Sequence, residues 1–515
     1  MKFDPTRWSD LTEQQQDVIR WVLEGKGSLE LLARAGCGKT YSLMKVVDAI
    51  VSAKLGDVAL MAYNKKIADE LKAKLEAAGY DWRTAQAGTV HSFGFSAWRK
   101  VAPRVQINDK KLFEIISQES YRQNGAAYVT CANAIQKLCS LAKQRGIGHL
   151  GRIEDTNEWL SIWDHFDIEN DVTEDVDMYE VINAAQNVYR ISLAQCRDVI
   201  DFDDMILAPL YFKARFWPKD WVLLDESQDT NPARRALALA MLKPRTGRMI
   251  FVGDPAQAIY GFTGADSDSM NQLKAATNAT TLPLNVTRRC PLKIVEEAQK
   301  LVPDFKAWEG AEEGVIREIE FEGLLVEGLN KDDAILCRNT APLVKTAYLL
   351  LAKGLACRVE GRDIGMGLIK LARRWKIKTL AQLLDKLQEF EERQTAKFAA
   401  KDQQDKLERL RDQLDCVRII IDRCLLLKKT TIDSMVEEIE TMFGNTPEGQ
   451  QPAVLTLSTV HKSKGREWKR VYILGRYKYM PSPYAKKDWQ MEQERNLEYV
   501  AVTRALKELI MVNEL

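Results

Sequence analysis

The chain has 515 residues, 46% hydrophobic and 29% charged, which is enough for three or four domains at ~100–200 residues each. Lys and Arg total 74 against 73 Asp and Glu, so the net charge of +1 excludes a whole-protein field for a polyanion, and any nucleic-acid surface must be a local patch. Nine cysteines without a CxxC pair, and four histidines far from them, give no zinc or iron–sulfur spacing, and no apolar run approaches the ~20 residues of a membrane span.

In chain order, Met1–Pro5 lacks the apolar stretch of a signal peptide, so a cytoplasmic protein with reduced thiols is expected. Leu29–Ala33 reads as a buried strand. It runs into Arg34-Ala35-Gly36-Cys37-Gly38-Lys39-Thr40, and a helix can begin at Lys39. Strand, glycine turn, lysine and hydroxyl form a phosphate-binding loop, with Ala33 where the strict pattern has its first glycine. The backbone of Ala35, Gly36, Cys37 and Gly38 would cradle phosphates beside a positive helix end. Lys39 would meet the β and γ phosphates of ATP, and the Thr40 hydroxyl would be a Mg²⁺ ligand. A Gly-Lys-Thr triplet alone also fits a surface turn; the strand before it and the helix after it select the nucleotide reading.

Asp57–Tyr63 is a second strand, followed by Asn64 and a helix over Lys65–Ala78 that stops at Gly79. Residues 105–195 have a helical pattern with an acidic run through Asp167–Glu180. Trp221–Leu224 carries Asp225 and Glu226 to a strand end, where Mg²⁺ needs an oxygen ligand and an attacking water needs a base. Asp225 suits the first role and Glu226 the second. Met249–Val252, Ala334–Cys337, Val454–Leu457 and Arg470–Leu474 read as further strands. Leu368–Phe443 holds no Gly or Pro and reads as a helical insertion with a long antiparallel pair. Leu497–Leu506 reads as an apolar helix that contains Arg504. Apolar strands alternating with helices predict an α/β fold of parallel sheets, with ligands at the carboxyl ends of the strands.

At these residues the chain resembles the UvrD/Rep/PcrA type of superfamily 1 DNA helicase, collinearly from Leu11 to Arg504. Leu11-Thr12-Glu13-Gln14-Gln15 resembles the Q motif. Met61-Ala62-Tyr63-Asn64-Lys65 and Gly88-Thr89-Val90-His91-Ser92-Phe93 resemble the early DNA-contacting motifs. Asp225-Glu226-Ser227-Gln228-Asp229 has the family's form of motif II, and Val252–Phe262 resembles motif III. Arg288-Arg289-Cys290-Pro291, Thr459–Trp468 and Tyr499–Ala505 resemble motifs IV, V and VI.

The resemblance implies two RecA-like parallel-sheet P-loop domains, each with a mainly helical insertion. The first covers residues 1–104 and 196–280, with 105–195 inserted. The second covers 281–365 and 450–515, with 366–449 inserted. It implies that Gln15 reads adenine, Gln257 senses the γ phosphate, Arg289 and Arg504 are arginine fingers, and Glu467 touches the ribose. Arg288 stands where relatives carry an aromatic over adenine. Asn64, Lys65, Thr89, His91, Ser92, His461 and Lys462 would hold single-stranded DNA, with Tyr260 and Phe262 stacking on its bases. The implied protein is a monomeric, membrane-free, ATP- and Mg²⁺-dependent 3′–5′ translocase and helicase, acting on single strands and duplex junctions. Two alternatives stay open. One is a translocase that strips proteins without unwinding. The other is a nucleotide-controlled switch in a larger repair or defence complex.

Overall fold

The computed structural model describes residues 3–513 except 124, 167, 169–171, 173–175, 262–267, 401–403, 445–453 and 484. The chain forms two compact units, Met1–Ala33 with Gly38–Leu284, and Arg34–Cys37 with Asn285–Leu515.

The first unit is built on a six-stranded sheet in the order Ala85–Thr89, Val58–Ala62, Trp221–Leu224, Arg248–Gly253, Leu29–Ala33, Thr280–Leu284. Every pairing is parallel. Val58–Ala62 and Trp221–Leu224 are buried at every position, which is why they read as unbroken apolar runs. Because all strands run one way, the polar residues after Ala33, Ala62, Leu224 and Gly253 share one edge. Asn64 and Thr89 start the next helices by accepting the Ile67 and Ser92 N–H groups. The helix from Lys65 ends where expected, with Gly79 in the left-handed region at φ 78°.

Among the described residues, five α-helices between Lys111 and Ala194 enclose a second core around Ile135, Leu138, Trp159 and Tyr189. A buried charge cluster ties them to the segment before helix Asp204–Tyr211. Lys111 lies 2.6 Å from Asp204, and Lys143 lies 2.5 Å from Asp201 and 2.7 Å from Asp204. Burial alone would raise the Asp204 carboxyl, but the Lys143 and Lys111 ammonium groups hold it below its ordinary value.

The second unit has a seven-stranded parallel sheet in the order Val315–Ile319, Ala505–Val512, Trp468–Leu474, Asp333–Cys337, Leu455–Thr459, Cys357–Glu360, Phe443–Gly444. Both sheets match the expected α/β class. Helices Leu380–Ala400 and Gln404–Leu426 pack together as the expected hairpin, and Ile432–Met442 joins them over a core that includes Leu383, Leu414 and Ile439.

One sequence expectation fails here. Helix Asp488–Val502 stops before Arg504, and Ala505–Val512 is a strand flanked on both sides. The Thr503 hydroxyl turns back onto the Tyr499 and Val500 carbonyls. The apolar residues beyond it gain two strand neighbours, which outweighs their helical spacing. No disulfide joins any of the nine cysteines, all of which lie among the described residues. No helix among the described residues is long and apolar enough to cross a membrane.

Candidate nucleotide site and nucleic-acid track

The phosphate loop follows the buried strand Leu29–Ala33 and leads into helix Lys39–Ser52. Gly36 and Gly38 have φ of 70° and 77°, a conformation that side chains with a Cβ rarely adopt. The sequence expectation of strand, turn and helix start is met at each residue. Arg34–Cys37 groups with the second unit, where the Ala35 N–H donates to the Tyr499 hydroxyl at 3.1 Å and Arg34 pairs with Asp304 at 2.8 Å.

Lys39 Nζ lies 2.7 Å from Glu226 Oε1. Burial alone would push the Lys39 ammonium down, but the Glu226 and Asp225 carboxylates outweigh it and hold it up. Glu226 has left-handed backbone at φ 50°, a conformation that costs a non-glycine residue about 1–3 kcal/mol. Glu226 Oε2 accepts the Gln228 side-chain amide at 2.5 Å. Gln228 Oε1 accepts the Asp254 N–H at 3.1 Å, and Asp254 Oδ2 accepts the Gln257 amide at 2.7 Å. A continuous polar chain thus joins Lys39, Glu226, Gln228, Asp254 and Gln257 across three strand ends. Gln228, 1% exposed, is the link that sequence reasoning left without a role. Its place in the motif II segment was the available signal.

Burial, reinforced by the Glu226 charge, pushes the Asp225 carboxyl up to about 7. A cation would relieve that excess of buried negative charge. No group of three or more His, Cys, Asp or Glu among the described residues is placed to hold a metal ion. Asp225 and the Thr40 hydroxyl are the oxygen groups that the sequence expectation assigns to Mg²⁺, an ion that keeps water and phosphate oxygens among its ligands. The Gln15 side chain completes a capping box with Thr12 and donates to Ser42 Oγ at 3.1 Å.

In the second unit Arg289 Nε lies 2.5 Å from Glu467 Oε2, so the expected finger and the expected ribose contact hold one another. The Arg288 guanidinium lies over the Trp308 ring at 5.7 Å. Arg504 is 1% exposed and donates to the Val500 and Arg466 carbonyls and to the Thr503 hydroxyl. Burial, helped by the Arg289 charge, pushes Arg504 down to about 10.

The expected track residues are engaged locally. Asn64, Thr89 and Ser92 make helix-capping bonds. Lys65 is exposed at its helix start. His91 is pushed down to about 4 by burial and by Arg234, and His461 to about 3 by burial and by Arg338 and Arg409. Both are therefore neutral near pH 7. Lys462 Nζ pairs with Asp363 at 2.7 Å. The Tyr260 ring is parallel to that of Tyr63, 6.3 Å away. Phe262 lies outside the described residues.

The UvrD/REP helicase N-terminal domain model matches residues 11–278, and the UvrD-like helicase C-terminal domain model matches 324–514. The chain is 23% identical to the ATP-dependent DNA helicase PcrA of Staphylococcus epidermidis over 309 residues, 57% of this chain and 40% of that protein. It is 22% identical to F-box DNA helicase 1 of Gallus gallus over 545 residues, 98% of this chain and 49% of that protein. To DNA helicase IV of Escherichia coli it is 24% identical over 286 residues, 48% of this chain and 40% of that protein. The chain thus spans less than half the length of these relatives.

Proposed function

The chain belongs to the UvrD/REP helicase family, and from that premise we propose that it is an ATP-driven motor that travels along single-stranded DNA and unwinds duplex DNA. The observation that carries this reading is the polar chain from Lys39 through Glu226, Gln228 and Asp254 to Gln257. It joins the group that would hold the β and γ phosphates to the group that would sense the γ phosphate.

In this reading Glu226 takes a proton from the attacking water, and Lys39 steadies charge that grows on the phosphates. Asp225 and Thr40 would hold Mg²⁺, whose charge would offset that of the phosphate oxygens. Arg289 and Arg504 act on the same nucleotide, a contribution of about 10³–10⁵ in rate for groups of this kind. For either to do so, its present partners must release it. Nucleotide-dependent populations then turn hydrolysis into stepping. Travel from 3′ to 5′ is the part of this reading that comes from the family resemblance alone.

Duplexes with a 3′ or a 5′ single-stranded tail test the reading. Strand separation with ATP on the 3′-tailed duplex is the expected result. Displacement of streptavidin from an end-labelled strand without any strand separation would favour a translocase that strips proteins.

A further inference from the structure

Trp82 and Trp217 are 58% and 60% exposed and meet edge to face, with ring centroids 6.5 Å apart. Trp82 just precedes strand Ala85–Thr89 and Trp217 just precedes Trp221–Leu224, so both lie at the amino edge of the first unit's parallel sheet. The expected track residues Asn64 and Thr89 lie at the carboxyl edge, one strand length of about 17 Å away. The Arg83 guanidinium lies over the Trp82 ring at 5.4 Å, and Lys100 Nζ over the Trp217 ring at 5.5 Å. Neither cation forms an ion pair among the described residues.

The carboxylates of this edge are already engaged. Asp57 pairs with Lys219 at 3.0 Å, Asp220 pairs with Lys243 at 2.7 Å, and Asp81 accepts the Thr84 N–H at 2.8 Å. The same contacts fix the two segments that carry the rings. The Asp220 N–H donates to Asp57 Oδ1 at 2.9 Å, and the Lys219 N–H to the Met241 carbonyl at 2.7 Å. The platform is thus held in place before anything binds.

A soluble protein gains nothing by leaving two adjoining indoles in water. A protein partner would be served by the apolar rings alone. Rings each carrying a cation serve a ligand with both flat faces and negative charge, and a single-stranded nucleic acid has both. A duplex offers no free base faces. We propose that Trp82, Trp217, Arg83 and Lys100 form a second platform for single-stranded nucleic acid, apart from the motor track. It stacks unpaired bases on the indoles and draws phosphates to the two cations. The proposal rests on the single-strand reading above for the source of its ligand.

Oligothymidylates of about 8 nucleotides and of roughly four times that length separate the track from the platform, because the track takes up the shorter one and only the longer one has nucleotides to spare for the other edge. Fluorescence anisotropy of the wild type should show tighter binding of the longer strand. Trp82→Ala with Trp217→Ala should weaken the longer strand about tenfold and leave the shorter one unchanged. Arg83→Glu with Lys100→Glu changes only exposed side chains and keeps the test decisive if loss of both rings disturbs folding. It should weaken the longer strand similarly. Wild-type affinity of both variants for the longer strand would overturn the platform and leave the motor reading intact. Failure of the wild type to bind either strand would remove the single-strand reading, and the platform with it.

Discussion

Lys39 and Glu226 form an ion pair of 2.7 Å inside the first unit, so the lysine that would grip phosphate is held by the carboxylate that would activate water. Binding of a nucleotide must break that pair. Glu226→Gln removes both the base and the competing charge. Turnover should fall at least a hundredfold, while ATP affinity holds or rises a few-fold. Equilibrium binding of a fluorescent ATP analogue beside steady-state turnover checks both. A loss of affinity matching the loss of turnover would contradict the assignment.

Gln228 contributes through both ends of its amide. Gln228→Ala removes the acceptor that Gln228 gives the Asp254 N–H and the donor that it gives Glu226 Oε2. Stability should drop by about 1–3 kcal/mol. Turnover should fall about tenfold with ATP affinity kept, because Gln257 loses its connection to Glu226. Urea unfolding and kcat measurements resolve the two effects. Unchanged kcat in a destabilised variant would make Gln228 a structural residue only.

Lys462 is restrained by Asp363 in an exposed ion pair. Asp363→Ala should free it for phosphate and tighten single-stranded DNA binding about twofold to fivefold at low salt. The gain should vanish at high salt, where exposed charges are screened. Anisotropy titrations at two ionic strengths test this. Weaker binding would show that Asp363 positions Lys462 rather than withholding it.

The buried cluster of Lys111, Lys143, Asp201 and Asp204 makes a stability statement. Lys143→Met leaves buried Asp201 without its lysine and Asp204 with Lys111 alone, and should destabilise the first unit by about 3–5 kcal/mol. Denaturant unfolding at neutral pH checks the size. Asp204 is held below its ordinary value, so its contribution is present above the unfolded carboxylate range and fades as pH falls through its lowered value. A change below about 1 kcal/mol would mean that water reaches the cluster.

The parts of the fold that were legible in the sequence were those with one dominant physical cause. Leu29–Ala33 and Trp221–Leu224 read as strands because sheets covered on both faces need unbroken apolar runs. The turn before Lys39 and the helix start at Lys39 and Thr40 were legible because both are local. Arg504 was misplaced on a helix because a short apolar run fits helix and strand alike, and only neighbours far along the chain decide between them. The motif II segment pointed to Gln228, but not to its bonds, because one partner, Asp254, comes from another strand end. Asn64 and Thr89 carried a second, readable message as helix caps, and in the structure their side chains make those bonds.

A motor of the proposed kind couples ATP hydrolysis to single-stranded DNA. The most direct measurement is steady-state ATP turnover of the chain with and without a saturating oligothymidylate, alongside Lys39→Ala. Turnover should rise about tenfold or more with the oligonucleotide, and Lys39→Ala should abolish it in both conditions. Equal turnover with and without the strand would contradict a motor and leave an ATPase that answers to something else.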